Sequence, residues 1–583
     1  MATVTAEAPT RSNGARASAR AALDVMLTDA ALEHRGSSRF LAPSAAAKAV
    51  AGLGRRPGRV IRRVGGLGSE LAAVAAGHSE LAAAKGDRRF ADRGWQENWL
   101  LHRVMQAYLA VGGTVDGLVS DAELDWRAER QARFAAGNVL DALAPTNFPW
   151  SNPAVIREIV DTGGANLVRG ARRFARDVSR SPRLPATVDT SKFEVGGNLA
   201  VSPGSVVMRT EAFELIQYRP QTELVRELPL LVVPPTINRY YVLDLAPGRS
   251  MVEHLVAQGM QVFMISWRNP DAAQAHFDLD TYATAVLEAR AAVAKVSGQP
   301  AVHIAAACSG GIITAGALGH LAASGRLSDA ASLTLLVCAL DNARASAVSA
   351  LATRELAAAA VAESARKGYL DGRALTEVFA WLRPNDPIWG YVVNNYLLGK
   401  DPPAFDVLYW NQDSVRLAAG LHRDFIRLAL ENSLARPRGT TVLGDPIDLR
   451  EVGLDSYIVA GSGDHIVPWE NAYRSTQLLG GNSRFVLSTS GHIQALINPP
   501  GPDSRSSYRI ADQNPPDGEA WLAQAAVRQG SWWPDYVEWL EARSGELNPP
   551  PRRSAAAPTK PRRRLPAPTS TRDDRIRRPA VVA

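Results

Sequence analysis

Three side chains in this sequence could work together: a thiol, an imidazole and a carboxylate. Cys308 stands in His303-Ile-Ala-Ala-Ala-Cys308-Ser309-Gly310-Gly311, where an apolar strand-like run meets a tight turn and then the helical run IITAGALGHLAA. A thiol presented at such a turn acts as a nucleophile if a base takes its proton and a third group orients the base. Asp464 follows the run DSYIVAG in GSGDHIVPW, and His492 follows SRFVLST in STSGHIQALINPP. Each of the three comes just after a strand-like run, and parallel strand ends converge on one edge of a sheet. The expected chemistry is covalent catalysis at Cys308.

The strand–turn–helix context is the one in which an α/β-hydrolase places its nucleophile, and the order nucleophile, acid, histidine is also that of the fold. The turn needs small neighbours because strand and helix pass close together. Gly310 and Gly311 meet this need, and Ala306 stands where the pattern G-x-C-x-G has glycine. A cysteine among small residues is, taken alone, more often a buried structural thiol; the joint pattern favours the nucleophile. Competing residues are His465, next to Asp464, as base, and Asp341, at the end of another strand run, as acid. His303 reads as a packed core histidine and Cys338, in LLVCAL, as an inert core thiol. His320 has no partner recognisable from the sequence.

These residues must be positioned by a large framework. The chain has 583 residues, 46% hydrophobic and 21% charged, an ordinary globular balance. Its two cysteines exclude a disulfide scaffold and a multi-cysteine zinc module. No stretch reaches 18 consecutive apolar residues, so no membrane span is expected. The start lacks a secretory signal pattern, which points to the cytoplasm. The net charge of +7 sits in the tail: residues 551–583 carry ten Arg/Lys against two Asp, leaving −1 for the rest. The charge is therefore not the mark of a specific nucleic-acid surface.

Residues 1–20 and the Pro-rich basic tail 548–583 read as disordered. Helical patterning starts at 21 and runs to about 145, within an N-terminal domain taken to 190. It includes a basic patch, Arg55, Arg56, Arg59, Arg62 and Arg63, read as a solvated face with contact to an anionic surface as the alternative. From 191 to 547, β-branched runs alternate with helical stretches, the pattern of an α/β domain with a mostly parallel sheet. The runs are 206–210 with 213–218 as a hairpin, then 229–233, 261–267, 301–307, 332–340, 455–461 and 483–489. Residues 342–454 hold no clear core strand and read as an inserted lid, rich in aromatics such as Trp389, Tyr396, Tyr409 and Trp410.

The chain resembles the polyhydroxyalkanoate synthases of the single-subunit type. The resemblance covers about residues 80–547. It rests on KGDRRFADRGWQEN (85–98), APTNFPWSNPAVIREIVDTGGANLVRG (144–170) and PPTINRYYVLDLAPGRSMVEHL (234–255), and on LRPNDPIWGYVVNNYLLGKDPPAFDVLYWNQD (382–413), GSGDHIVPW (461–469) and GSWWPDYVEWLEARSGE (530–546). The stretch ACSGGIITAGALGHL is closest to the medium-chain class. Ala306 and the Arg/Pro-rich tail depart from the pattern.

The resemblance implies an α/β-hydrolase fold with an inserted lid behind a helical N-terminal domain. It implies polymerisation of (R)-3-hydroxyacyl-CoA with release of CoA, with no cofactor because the CoA thioester is the substrate, and no metal. Cys308 would be the nucleophile, His492 the base, and Asp464 an aid to activating the 3-hydroxyl of the incoming unit. A cysteine suits this chemistry, because passing from CoA thioester to enzyme thioester is nearly isoenergetic and attack by a hydroxyl is then downhill. The N–H groups of Ser309 and of the turn after the third strand, near Ile237, would hold the oxyanion. The implied partners are 3-hydroxyacyl-CoA, a polyester granule surface in the cytoplasm and a second copy of the chain. Two other readings are a thiol-dependent esterase or depolymerase on the same fold, and a non-catalytic granule-associated protein.

Overall fold

The computed structural model describes residues 43–180, 183–343, 354–373, 380–381, 384–464, 466–502 and 504–551. The expectations for residues 1–42, for the tail from 552 and for His465 fall outside the described residues.

The N-terminal part is helical: α1 (Pro43–Gly54), α2 (Pro57–Ala76), α3 (Trp99–Asp121), α4 (Trp126–Ala142), α5 (Pro153–Thr162) and α6 (Ala165–Val178). Asn98 and Asn152 start α3 and α5 by accepting backbone N–H groups of the first turn, the usual work of an N-cap. The basic patch lies at the start of α2, where Arg56 and Arg59 pair with Glu123, and Arg63 with Asp121. It is thus partly neutralised within the fold.

The apolar runs become strands of one ten-stranded sheet. In chain order these are β1 (Gly204–Arg209), β2 (Phe213–Tyr218), β3 (Leu230–Val233), β4 (Val262–Trp267), β5 (Val302–Ala307), β6 (Ala330–Leu336), β7 (Ser456–Gly461), β8 (Ser483–Ser488), β9 (Ser507–Ile510) and β10 (Ala526–Gln529). Their order across the sheet is β1-β2-β4-β3-β5-β6-β7-β8-β9-β10. Strands β4, β3, β5, β6, β7 and β8 are parallel neighbours. Antiparallel hairpins, β1–β2 and β9–β10, close the two sides.

Strands β3, β5 and β7 are buried at every residue, as strands covered on both faces must be. Successive residues serve opposite cores: Leu231, Val233, Ile304 and Ala306 face one, Leu230, Val232, Ala305 and Ala307 the other. The first core is roofed by α7 (Leu279–Ser297), α8 (Ser309–Ala323) and α9 (Ala419–Glu431), and the second by α10 (Trp533–Glu541) with its buried Trp533 and Tyr536.

One expectation is corrected here, and one pair of strands is added. The run 332–340 reads as one strand in the sequence, yet β6 stops at Leu336, because Val337 turns into the left-handed region at φ 45°. The pair β9–β10 has no counterpart in the runs read from the sequence, being short and, in β10, exposed throughout.

Between β6 and β7 the chain makes the long excursion read as a lid. Its later part belongs to the core: Leu421, Phe425, Val442 and Ile447 are buried against α8 and its neighbours. Its middle part is fastened to the N-terminal region. Asn166 Nδ2 donates to Leu397 O at 2.7 Å, the Tyr396 hydroxyl to Asp177 at 3.0 Å, and Gln412 Nε2 to Thr187 Oγ1 at 2.8 Å. Phe174 packs edge-on against Tyr396.

Candidate active site

Cys308 follows the last residue of β5 and precedes α8. Its backbone lies at φ 50°, ψ −121°, a region a non-glycine residue enters only when its surroundings enforce it. They do so here from both sides: Cys308 N–H donates to Leu336 O of β6 at 2.9 Å, and Gly311 N–H to Cys308 O at 2.9 Å. The next two residues have no room for a side chain. A Cβ on Gly310 would lie 2.6 Å from the carbonyl oxygens of Val233 and Pro234, and one on Gly311 2.6 Å from Cys338 Sγ. Ala306 fits where the pattern has glycine, fully buried between Val233 and Leu335. The resulting turn leaves the Cys308 thiol partly exposed while Cys338 is buried.

Asp464 and His492 follow β7 and β8, at the same edge of the sheet. His492 Nδ1 and Asp464 Oδ2 are 2.6 Å apart, and the imidazole also hydrogen-bonds the Cys308 side chain. The other carboxylate oxygen, Oδ1, accepts the N–H groups of Ile466 at 2.7 Å and Val467 at 2.9 Å. Asp464 is thereby fixed in one orientation. Burial acts against a charge on His492, but the Asp464 carboxylate and then Cys308 outweigh it and raise the imidazole to about 10. The three residues expected to meet are brought together.

The two residues expected to hold the oxyanion lie on adjoining elements. Ser309 opens α8, and Ile237 lies in the turn after β3. Neither N–H hydrogen-bonds another backbone group among the described residues. The turn is tied to the elbow by Thr236, whose N–H donates to Ser309 Oγ at 3.0 Å. Sequence reasoning misses that contact, since no spacing rule links Thr236 to Ser309.

Asp341, the competing acid, is engaged elsewhere, as are the other candidate groups among the described residues. Asp341 accepts from Arg474 Nε at 2.6 Å and Asn432 Nδ2 at 2.9 Å. His303 is buried in β5 between the hydroxyls of Ser332, 2.7 Å from Nδ1, and Ser544, 3.2 Å from Nε2. Burial pushes it down to about 4, so it is a neutral core histidine. Burial pushes the Cys338 thiol well up, so it stays protonated. His320, which had no recognisable partner, lies 2.8 Å from Asp445.

Known proteins are similar to this chain in sequence. Residues 86–255 match the family described as poly-beta-hydroxybutyrate polymerase (PhaC) N-terminus, and residues 229–499 match the alpha/beta hydrolase fold. The chain is 45% identical over 496 residues to poly(3-hydroxyalkanoate) polymerase 2 of Ectopseudomonas oleovorans, covering 85% of this chain and 88% of that one. It is 42% identical over 499 residues to polymerase 1 of the same organism, covering 86% and 89%. To the poly(3-hydroxyalkanoate) polymerase subunit PhaC of Cupriavidus necator it is 40% identical over 480 residues, covering 81% of each. Likeness of this extent, running through both the helical N-terminal region and the α/β-hydrolase sheet, shows that the chain belongs to the poly(3-hydroxyalkanoate) polymerases, a family of acyltransferases.

Proposed function

We propose that the protein polymerises (R)-3-hydroxyacyl-CoA into polyhydroxyalkanoate, releasing CoA through a thioester on Cys308. The observation that carries this reading is the line Cys308–His492–Asp464, with the imidazole bonded to both neighbours. The imidazole is placed to take the Cys308 proton and so form a thiolate–imidazolium pair. The Cys308 thiolate attacks the substrate carbonyl and the C–S bond to CoA breaks. The leaving thiolate takes the proton of His492. Ser309 and Ile237 N–H groups stabilise the oxyanion that forms on the way.

Acylation removes the negative charge of Cys308, one of the causes that hold the proton on His492. The imidazole, now neutral, is free to accept the proton of a 3-hydroxyl as that oxygen attacks the acyl carbonyl. Cys308 then leaves as thiolate and the pair is restored. Both oxygens of Asp464 are already engaged, by His492, Ile466 and Val467. This supports a role in orienting His492 over direct activation of the hydroxyl.

The substrate supplies its own activation, so no cofactor or metal is required. Among the described residues no helix is long and apolar enough to cross a membrane. Exposed Ile61, Trp99, Trp150 and Val160 on the N-terminal region support attachment to a hydrophobic polyester granule in the cytoplasm and pairing with a second copy. The test is CoA release and polymer formation from (R)-3-hydroxyacyl-CoA of graded chain length. Free 3-hydroxy acid as the main product would favour the esterase reading instead.

A further inference from the structure

The turn after β3 is clasped from two sides. On the elbow side, Thr236 N–H donates to Ser309 Oγ at 3.0 Å and the two hydroxyls lie 3.1 Å apart, both residues being buried. On the other side it is gripped by residues 410–415 of the excursion between β6 and β7. Val415 N–H donates to Ile237 O at 3.1 Å, Asn238 bridges Ser414 in antiparallel fashion, and Trp410 Nε1 donates to Arg239 O at 2.8 Å. Asp413 stands at the centre of this grip. One carboxylate oxygen accepts from Arg239 Nε at 3.3 Å and the other from the Tyr241 hydroxyl at 2.9 Å. Burial, and then the charge of Asp413, push the Tyr241 phenol up, so it remains a donor.

Resting on the acyl-transfer reading above, we propose that Asp413 is a positioning residue for the oxyanion, holding the 236–241 turn so that the Ile237 N–H keeps its place opposite that of Ser309. The two donors come from different elements, so their separation is set only by what ties those elements together. Oxyanion donors contribute when they stand ready before charge develops, and a donor that must first be brought into place contributes far less. Asp413 bonds neither Cys308 nor His492 and acts through Arg239 and Tyr241.

Two reactions of the same thiol isolate this role. Acylation by a CoA thioester builds negative charge on a carbonyl oxygen, whereas alkylation by iodoacetamide does not, yet both need the Cys308 thiolate. Asp413→Ala is expected to slow single-turnover acylation about 10- to 100-fold, and Asp413→Asn to slow it less. Alkylation of Cys308 should change by less than about twofold in both variants. Should Asp413→Ala fail to fold, Asp413→Asn carries the same comparison. Acylation at the wild-type rate, or equal losses in the two reactions, overturns the proposal. Normal turnover in Cys308→Ala would instead overturn the thioester reading, a result distinct from either.

Discussion

His492 Nδ1 lies 2.6 Å from Asp464 Oδ2, and both side chains are buried. The pair sets how stability depends on pH. The folded imidazole, at about 10, sits above its ordinary value near 6.5. Its stabilising contribution is therefore complete below about pH 6.5 and is lost as pH rises through about 10. His492→Gln should flatten the fall in Tm from neutral pH to about pH 10. Thermal unfolding of both proteins across this range checks it, and an unchanged slope would count against the pairing.

His303 should act in the opposite direction. Its folded value, about 4, lies below the ordinary one. The stability it contributes is present above about pH 6.5 and lost as pH falls through about 4. His303→Gln should shed part of this acid sensitivity, read as the urea midpoint followed from neutral to acid pH.

Cys308→Ala should abolish CoA release. Cys308→Ser should be nearly inactive, because an oxoester intermediate leaves no driving force for chain growth. Cys338→Ala should retain most activity. Iodoacetamide should label Cys308 alone, since Cys338 is buried and its thiol is held protonated. Peptide mapping after labelling gives the answer, and stoichiometric label on Cys338 would contradict it.

If Asp464 orients His492, Asp464→Asn and His492→Gln should lose the pre-steady-state CoA burst together, each by at least about 10²-fold. An Asp464→Asn enzyme that keeps its burst but elongates slowly would restore the direct role for Asp464 in activating the hydroxyl.

Gly310→Ala and Gly316→Ala should part company although both lie in α8. The first Cβ meets two backbone oxygens at 2.6 Å and must displace the nucleophile turn. The second meets only Val442, with Cγ2 at 3.4 Å, an ordinary contact. Gly310→Ala should lower Tm and remove CoA release, while Gly316→Ala should be neutral or stabilising by up to about 1 kcal/mol. Equal behaviour of the two would show that the close approach is not what selects glycine.

The parts of this architecture that sequence reading reached share one property: their pattern is local. The central strands are continuous apolar runs, and Cys308, Asp464 and His492 each follow such a run directly. What escaped depends on partners far away in the chain. Val337 ends β6 through its backbone conformation although its neighbours read as strand. The β9–β10 hairpin lacks an apolar run because it lies at the sheet's edge. Thr236 and Asp413 gain meaning only through Ser309, Arg239 and Tyr241, and no spacing rule links those positions.

The seam between residues 166–189 and 394–412 bears on how such chains can be recombined. Each side offers side chains to the other's backbone: Asn166 to Leu397 O, Asn395 Nδ2 to Ala186 O at 2.7 Å. Close packing adds to this, since a Cβ on Gly399 would lie 2.4 Å from Asn166 O. A hybrid that takes its N-terminal helices from one relative and its catalytic sheet from another would cut through this seam. Parents for such a hybrid are best matched on these two stretches before any other, and a crossover that exchanges both stretches together keeps the joint intact.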